Sequence, residues 1–308
     1  MFRHILVPLD GSRMAEAALP AAVSLAKRFS AAVTLFHVIE RNAPREIHGQ
    51  PHLKNANEAK AYLRDTAVRA FPGGIRVGFH VHTAEVDNVA ESIVGHAAEL
   101  RHDTIIMCSH GRGRTLHLFL GSIAQKVISK GSLPVLITHP GEEGAIPSFP
   151  CRTLLLPLDG NPDHEQSLPV AKALAKACGA DIHMATVIPS FGALSGESAV
   201  TSRFLPGTMS KILELSVQDA EEYLLKQSDA LRKEGFEAHV HVLRGEPAAV
   251  IDESARRLQT DIIIMATHGT SGMVAFWAGS VTHKVSSRSR IPLLLIPAAG
   301  SKPEARKK

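Results

Sequence analysis

Short apolar runs alternate along the whole chain with longer stretches in which apolar residues recur every three or four positions. The runs at 3–9, 32–39, 75–82, 104–108 and 134–138 read as strands, as do those at 152–158, 181–188, 236–243, 261–266 and 292–296. Met14 to Arg28 and Lys211 to Glu234 carry helical spacing. The strand runs are apolar on both faces, as a parallel sheet covered by helices on both sides requires. The segment from Pro189 to Ser210 is rich in Gly, Ser and Pro without clear periodicity and reads as a long loop, with a shorter counterpart at 41–54.

The pattern is written twice. Setting "ILVPLDGSRMAEAALPAAVSLAKRFSAAVTLFHVI", from Ile5, beside "LLLPLDGNPDHEQSLPVAKALAKACGADIHMATVI", from Leu154, matches Pro8-Leu9-Asp10-Gly11 to Pro157-Leu158-Asp159-Gly160. Further on, "IIMCSHGRGRTLHLFLGSIAQKVIS" from Ile105 answers "IIMATHGTSGMVAFWAGSVTHKVSS" from Ile263. The expected fold class is α/β: two Rossmann-like, doubly wound domains at 1–140 and 151–300, each with a five-stranded parallel sheet. The Gly/Pro-rich stretch from His139 to Pro150 joins them. The last strands, "PVLIT" and "PLLLI", would leave two apolar sheet edges if the halves were independent. Their pairing within one chain, as a pseudo-dimer, is the expected arrangement, and a homodimer of whole chains is a further option.

Composition fits this reading. The 308 residues, 44% of them apolar, suffice for two buried cores. The formal charge of +4 overstates the basic character, because the last eight residues, "SKPEARKK", carry four cations against Glu304. The remainder is nearly neutral and offers no face for nucleic acid. Cys108, Cys151 and Cys178 are too few and too far apart for a disulfide framework, which fits a reducing compartment. The start "MFRHILVPLDGS" lacks the apolar stretch of a signal peptide, and no run approaches a membrane span. A cytoplasmic location with no membrane partner is expected.

Both "PLDG" turns and both "HG...GS" loops fall at the carboxyl ends of the first and fourth strands, the edge where doubly wound sheets bind ligands. Gly111 and Gly121 bracket nine residues, as Gly269 and Gly279 do. Gly121-Ser122 and Gly279-Ser280 each open a helix whose first N–H groups suit an anion, most simply a phosphate. Each Asp, Asp10 and Asp159, serves either a ligand hydroxyl or the cap of the first helix. Neither half has G-x-x-x-x-G-K-[ST] or, after its first strand, G-x-G-x-x-G. The "HVH" pairs His80/His82 and His239/His241 point to one face of a strand, but no third ligand is placed and no metal site is assigned. His110 and His268 are read as ordering their turns. Arg112 and Arg114 are either phosphate partners or solvated charges, and Cys108 is a buried thiol.

These residues resemble the universal stress protein family, and "VPLDGS", "HVI" and "IIMCSHGRG...GSIAQKVI" carry the resemblance across both halves. The chain is similar to the tandem type. The ATP-binding members of that family carry G-x-x-G, nine residues, then G-[ST]; here the first glycine of the pattern is Cys108 in one half and Ala266 in the other. The resemblance implies ATP, with or without Mg, its adenine near Pro8, Asp10 and Val38 and its ribose and phosphates along Met107, Cys108, Gly111, Gly121, Ser122 and Ile123. The second-half equivalents are Pro157, Asp159, Val187, Met265, Ala266, Gly269, Gly279, Ser280 and Val281. If the first motif position needs a positive φ, Cys108 and Ala266 both strain the turn and neither site should bind well; if it needs only room, Ala266 intrudes less than Cys108, and the second crevice is expected to bind at least as well as the first.

Two functions stay open beside a regulatory ATP-binding stress protein that acts through partners. One is a slow ATP-hydrolysing enzyme, for which no Walker lysine, metal-spaced carboxylate pair or other catalytic residue is assigned. The other is an assembly module without nucleotide.

Overall fold

A computed structural model describes residues 1–41, 43, 46–47, 50–109, 120–141, 146, 148–194, 196–267 and 281–297. In chain order the first half comprises β1 (His4–Pro8), α1 (Leu19–Phe29), β2 (Ala32–Glu40), β3 (Glu46–Ile47), β4 (Gln50–Pro51), α2 (Ala56–Ala70), β5 (Arg76–Val86), α3 (Val89–Glu99), β6 (Thr104–Cys108), α4 (Ser122–Lys130) and β7 (Val135–Thr138). The second comprises β8 (Thr153–Pro157), α5 (Ser167–Cys178), β9 (Asp181–Ile188), α6 (Gly196–Phe204), α7 (Pro206–Lys233), β10 (Ala238–Arg244), α8 (Pro247–Arg257), β11 (Ile262–Thr267), α9 (Val281–Ser286) and β12 (Leu293–Pro297).

Ten strands form one sheet in the order β10-β9-β8-β11-β12-β7-β6-β1-β2-β5. Each half therefore contributes five parallel strands in the doubly wound order, third-second-first-fourth-fifth, so the strand order reverses between β1 and β6, and again between β8 and β11. The two fifth strands meet at the centre. β12 runs antiparallel to β7, with Leu293 opposite Ile137, Leu294 opposite Leu136 and Leu295 opposite Val135. The expected intrachain pseudo-dimer is thus realised through the two apolar edges.

Strand alternation explains the two cores. Ile5, Val7, Leu154, Leu156, Leu136 and Leu294 are buried on one face, in a cluster that includes residues of α1, α2, α5 and α7. Leu6, Leu155, Ile137 and Leu295 are buried on the other, with residues of α3, α4 and α8. Each cluster draws on both halves, so the cores are continuous across the β7–β12 seam.

Local chemistry sets the helix limits. α2 starts at Asn55, whose side chain accepts from the N–H groups of Asn57 and Glu58, and α8 at Glu246, whose side chain accepts from Ala249 N–H. α1 and α5 end on left-handed residues at equivalent repeat positions, Ser30 and Gly179. The helix expected from Met14 begins instead with a 3-10 turn, Ala15–Ala18; α1 follows with Pro20 in its first turn, where a missing N–H costs nothing.

The loop expected over Pro189 to Ser210 is mostly helix: a 3-10 turn at Phe191–Ala193, then α6, then the start of α7. Pro206 opens α7, and Met209, Leu213 and Ala220 bury one face against Ile188. Its apolar period starts only at Met209, so the Gly/Ser/Pro composition before it masked the helix. In the counterpart at 41–54, β3 and β4 form a small antiparallel pair.

Candidate functional site

In the first half β1 stops at Pro8, and Leu9 N–H still donates to Phe36 O at 2.8 Å, so the chain leaves the sheet at Asp10. Gly11 completes the turn with φ +89°, and its equivalent Gly160 has φ +76°, a conformation side-chain-bearing residues rarely adopt. A Cβ at Gly11 would also lie 2.9 Å from the Leu53 side chain. That is why "LDG" recurs in both halves.

Beside this turn, between the carboxyl ends of β1, β2 and β6 and the start of α4, lies a cleft with about 810 Å³ of open volume including its mouth. Pro8, Asp10, Val38, Met107, Cys108, Gly121, Ser122 and Ile123, all sequence candidates, line it together. Gly111 lies outside the described residues, as do His110, Arg112 and Arg114.

The lining divides by chemistry. Val38, Met107, Val89 and Ile93 make an apolar wall. Gly121 N–H donates to Ser109 O at 2.6 Å, which docks the start of α4 onto the end of β6. Gly121 is the N-cap of α4, no side chain caps the first turn, and that turn holds no acidic residue. The N–H groups of Ser122, Ile123 and Ala124 thus stand at the positive end of the helix, at the edge of the cleft. Asp10 Oδ1 accepts from both the N–H and the hydroxyl of Ser12, at 2.9 and 2.6 Å, and Ser12 Oγ in turn accepts from Ala15 N–H at 3.2 Å. Asp10 therefore supports the following turn through one oxygen, while its other oxygen takes no bond from the described residues.

Three polar residues in the cleft were not singled out in the sequence: His37, Glu40 and His52. His37 Nδ1 donates to Leu9 O at 2.7 Å, and burial lowers its pKa, so it stays neutral. His52 Nε2 lies 3.9 Å from Glu40 Oε2 at the end of β2. His52 falls in the segment read as a loop and carries no spacing signal.

The second half repeats the frame with different contacts. Asp159 Oδ1 accepts from Asn161 N–H at 3.1 Å, while Asp159 Oδ2 pairs with His164 Nδ1 at 2.7 Å. Both oxygens are engaged. Met265 is buried, Ala266 half-buried, Pro157 ends β8, and Val187 and Val281 pack at the margin of the second core. Gly269, Gly279, Ser280 and His268 lie outside the described residues.

Cys108 and Ala266 both belong to regular strands, and among the described non-glycine residues positive φ is confined to Phe2, Ser30, Arg101, Cys151 and Gln259. The backbone at Cys108 and Ala266 thus shows no positive φ that would demand glycine at the first motif position.

Each "HVH" pair gains a third histidine from a neighbouring element. In the first half His82 Nδ1 lies 3.3 Å from His96 Nε2, and the His80 ring centroid 5.2 Å from that of His96. In the second, His183 Nδ1 lies 3.0 Å from His241 Nε2, and the His183 ring stacks on His239 at 4.6 Å. Among the described residues no group of three or more His, Cys, Asp or Glu is placed to hold a metal ion. Burial, then the neighbouring His239 and His241, push His183 down to about 4. A histidine with a lowered folded pKa takes its proton more readily when unfolded, so the stability present above about pH 6.5 drains away as pH falls toward 4. The melting temperature is expected to fall steadily across that window. His183→Gln should flatten the slope, as melting curves at a series of pH values will show.

The fold, with its repeated strand order and turn frame, defines a tandem, Rossmann-like α/β protein. The family model described as Universal stress protein family matches residues 1–139 and again 150–297, and the chain belongs to that family. A universal stress protein of Mycolicibacterium smegmatis is 25% identical over 307 residues, 95% of this chain and 96% of its own. One of Synechocystis sp. is 33% identical over 138 residues, 44% of this chain and 85% of its own. The crystal structure of a universal stress protein from Archaeoglobus fulgidus has the same fold, with a TM-score of 0.70 over 98% of this chain and 99% of that one at 19% identity. Among the described residues no helix is long and apolar enough to cross a membrane.

Proposed function

We propose that this protein binds ATP in the first-half crevice and acts in the cytoplasm as a regulatory, nucleotide-dependent stress protein working through partner interactions. One observation carries the reading: a single cleft lined by an apolar wall, an acidic side chain and the uncapped start of α4. An apolar wall suits a base, a carboxylate suits hydroxyl or amino donors, and helix N–H groups suit phosphate oxygens. Any Mg would arrive on the nucleotide's own phosphates, with Asp10 and Glu40 the carboxylates of the cleft.

The second crevice is the weaker site on this reading. His164 competes with a ligand for Asp159 Oδ2, whereas Asp10 Oδ2 takes no bond from the described residues. This reverses the ranking expected from side-chain size at Cys108 and Ala266. Asp10→Ala is expected to weaken ATP binding about 10-fold, the worth of one hydrogen bond to a charged group, and Asp159→Ala to leave it within about twofold. Calorimetric titration measures both, and a phosphate-release assay on the same samples separates binding from turnover. Equal losses in the two variants would remove the assignment to the first crevice.

A further inference from the structure

The internal repeat puts Cys151 at the position of Phe2, before "RTLLLPLDG" and "RHILVPLDG", and Cys178 at that of Phe29, after "LAKA" and "LAKR". The first half fills this place with two rings whose centroids lie 4.9 Å apart. The second fills it with two thiols whose sulfurs lie 2.8 Å apart, Cys151 donating to Cys178. Phe2 and Cys151 share even the backbone, with φ 57° and 55°. Both positions of one contact thus differ together between the halves, and the second half has sulfur on both sides.

The surroundings favour chemistry over packing alone. Cys151 is fully buried, while Cys178, the last residue of α5, is half-buried. Arg28, at the end of α1 in the other half, donates to the carbonyls of Pro150, Ala177 and Cys178 at 3.4, 3.4 and 3.5 Å, holding both cysteine-bearing segments. The Cys151 S–H, and the Arg28 charge after it, favour a thiolate at Cys178 and lower its pKa, against burial and the Asp261 carboxylate. The partner thiol of Cys151 is pushed up and remains protonated.

We propose that Cys151 and Cys178 are a reversible dithiol–disulfide switch closed by hydrogen peroxide. The Cys178 thiolate attacks one peroxide oxygen; an S–O bond forms as the O–O bond breaks, and the leaving hydroxide takes a proton to become water. Cys151 sulfur then attacks Cys178 sulfur; the S–S bond forms, the S–O bond breaks, and a second water leaves with the Cys151 proton. Two thiols and one peroxide give one disulfide and two waters. The buried resolving thiol already touches its target, so the sulfenic acid is captured before further oxidation. An external dithiol reverses the step. The bond ties the entry of β8 to the end of α5 across 27 residues of chain, beside the Arg28 contact between the halves.

The test uses the reduced full-length protein, treated with a small excess of hydrogen peroxide, quenched, then unfolded in denaturant and labelled with a maleimide, with its peptides read by mass spectrometry. Two of the three cysteines should escape labelling and appear as one Cys151–Cys178 linked peptide, with labelling restored by dithiothreitol. The oxidised protein should melt roughly 5 to 10 °C higher than the reduced one. In Cys178→Ser that rise should vanish, while Cys108→Ser should keep it; the wild-type mass spectrum decides even where a variant folds poorly. Labelled Cys151 beside a sulfinic Cys178, or links to Cys108 or to a second chain in place of the Cys151–Cys178 peptide, would overturn the proposal.

Discussion

Gly121→Leu is expected to weaken ATP binding about 100-fold, roughly 2.7 kcal/mol, while Gly279→Leu leaves it essentially unchanged. Gly121 is the N-cap of α4 with φ −58°, so leucine is accommodated by the backbone there, and the effect is steric at the anion's place. A branched side chain at the mouth of the first turn displaces the phosphates from the N–H groups of Ser122 and Ile123. Each hydrogen bond to a charged group is worth about 1.5–3 kcal/mol, so losing one or two accounts for the factor. The check is calorimetric titration of both variants, with thermal melts showing that each remains folded. Loss of binding in Gly279→Leu alone would place the nucleotide in the second crevice.

The second result concerns the seam. Leu136 is 1% exposed, lies opposite Leu294 across the antiparallel β7–β12 pair, and belongs to the core cluster that both halves share. Leu136→Asp buries a carboxylate at the centre of a ten-stranded sheet, a cost of about 4 kcal/mol or more. The melting temperature is expected to fall by about 10 °C. Because the sheet and both cores run through the seam, scanning calorimetry should show the two halves unfolding together before and after the substitution. Two transitions, of which Leu136→Asp moves only the first half's, would mean that the halves do not share a core.

The eight inner strands of the large sheet could be read from the sequence because Ile5-Leu6-Val7, Leu154-Leu155-Leu156 and their neighbours feed two cores at once, whereas the edge strands β5 and β10 are mostly exposed or half-buried and carry weaker apolar runs. The apolar edges of β7 and β12 likewise announced their pairing. What escaped notice depends on contacts remote in sequence. Helix α6 and the first turns of α7 have little apolar periodicity before Met209, so composition pointed to a loop. His52 reaches the cleft only because the chain after β4 brings it beside Glu40 and His37 at the end of β2, and nothing in its neighbours in sequence marks it. The Cys151–Cys178 contact spans 27 residues, and cysteine spacing alone gave no sign of it. The repeat alignment held the signal, since Phe2 and Phe29 occupy the same two positions.

Photolabelling with 8-azido-ATP tests the central claim most directly, because the reactive nitrogen sits on the base and marks the chain around it. The account predicts labelled peptides from the β1–Asp10 turn and the end of β2, around Pro8, Asp10 and Val38, with the label suppressed by unmodified ATP. Label confined to the second half, or label that excess ATP does not displace, would contradict it.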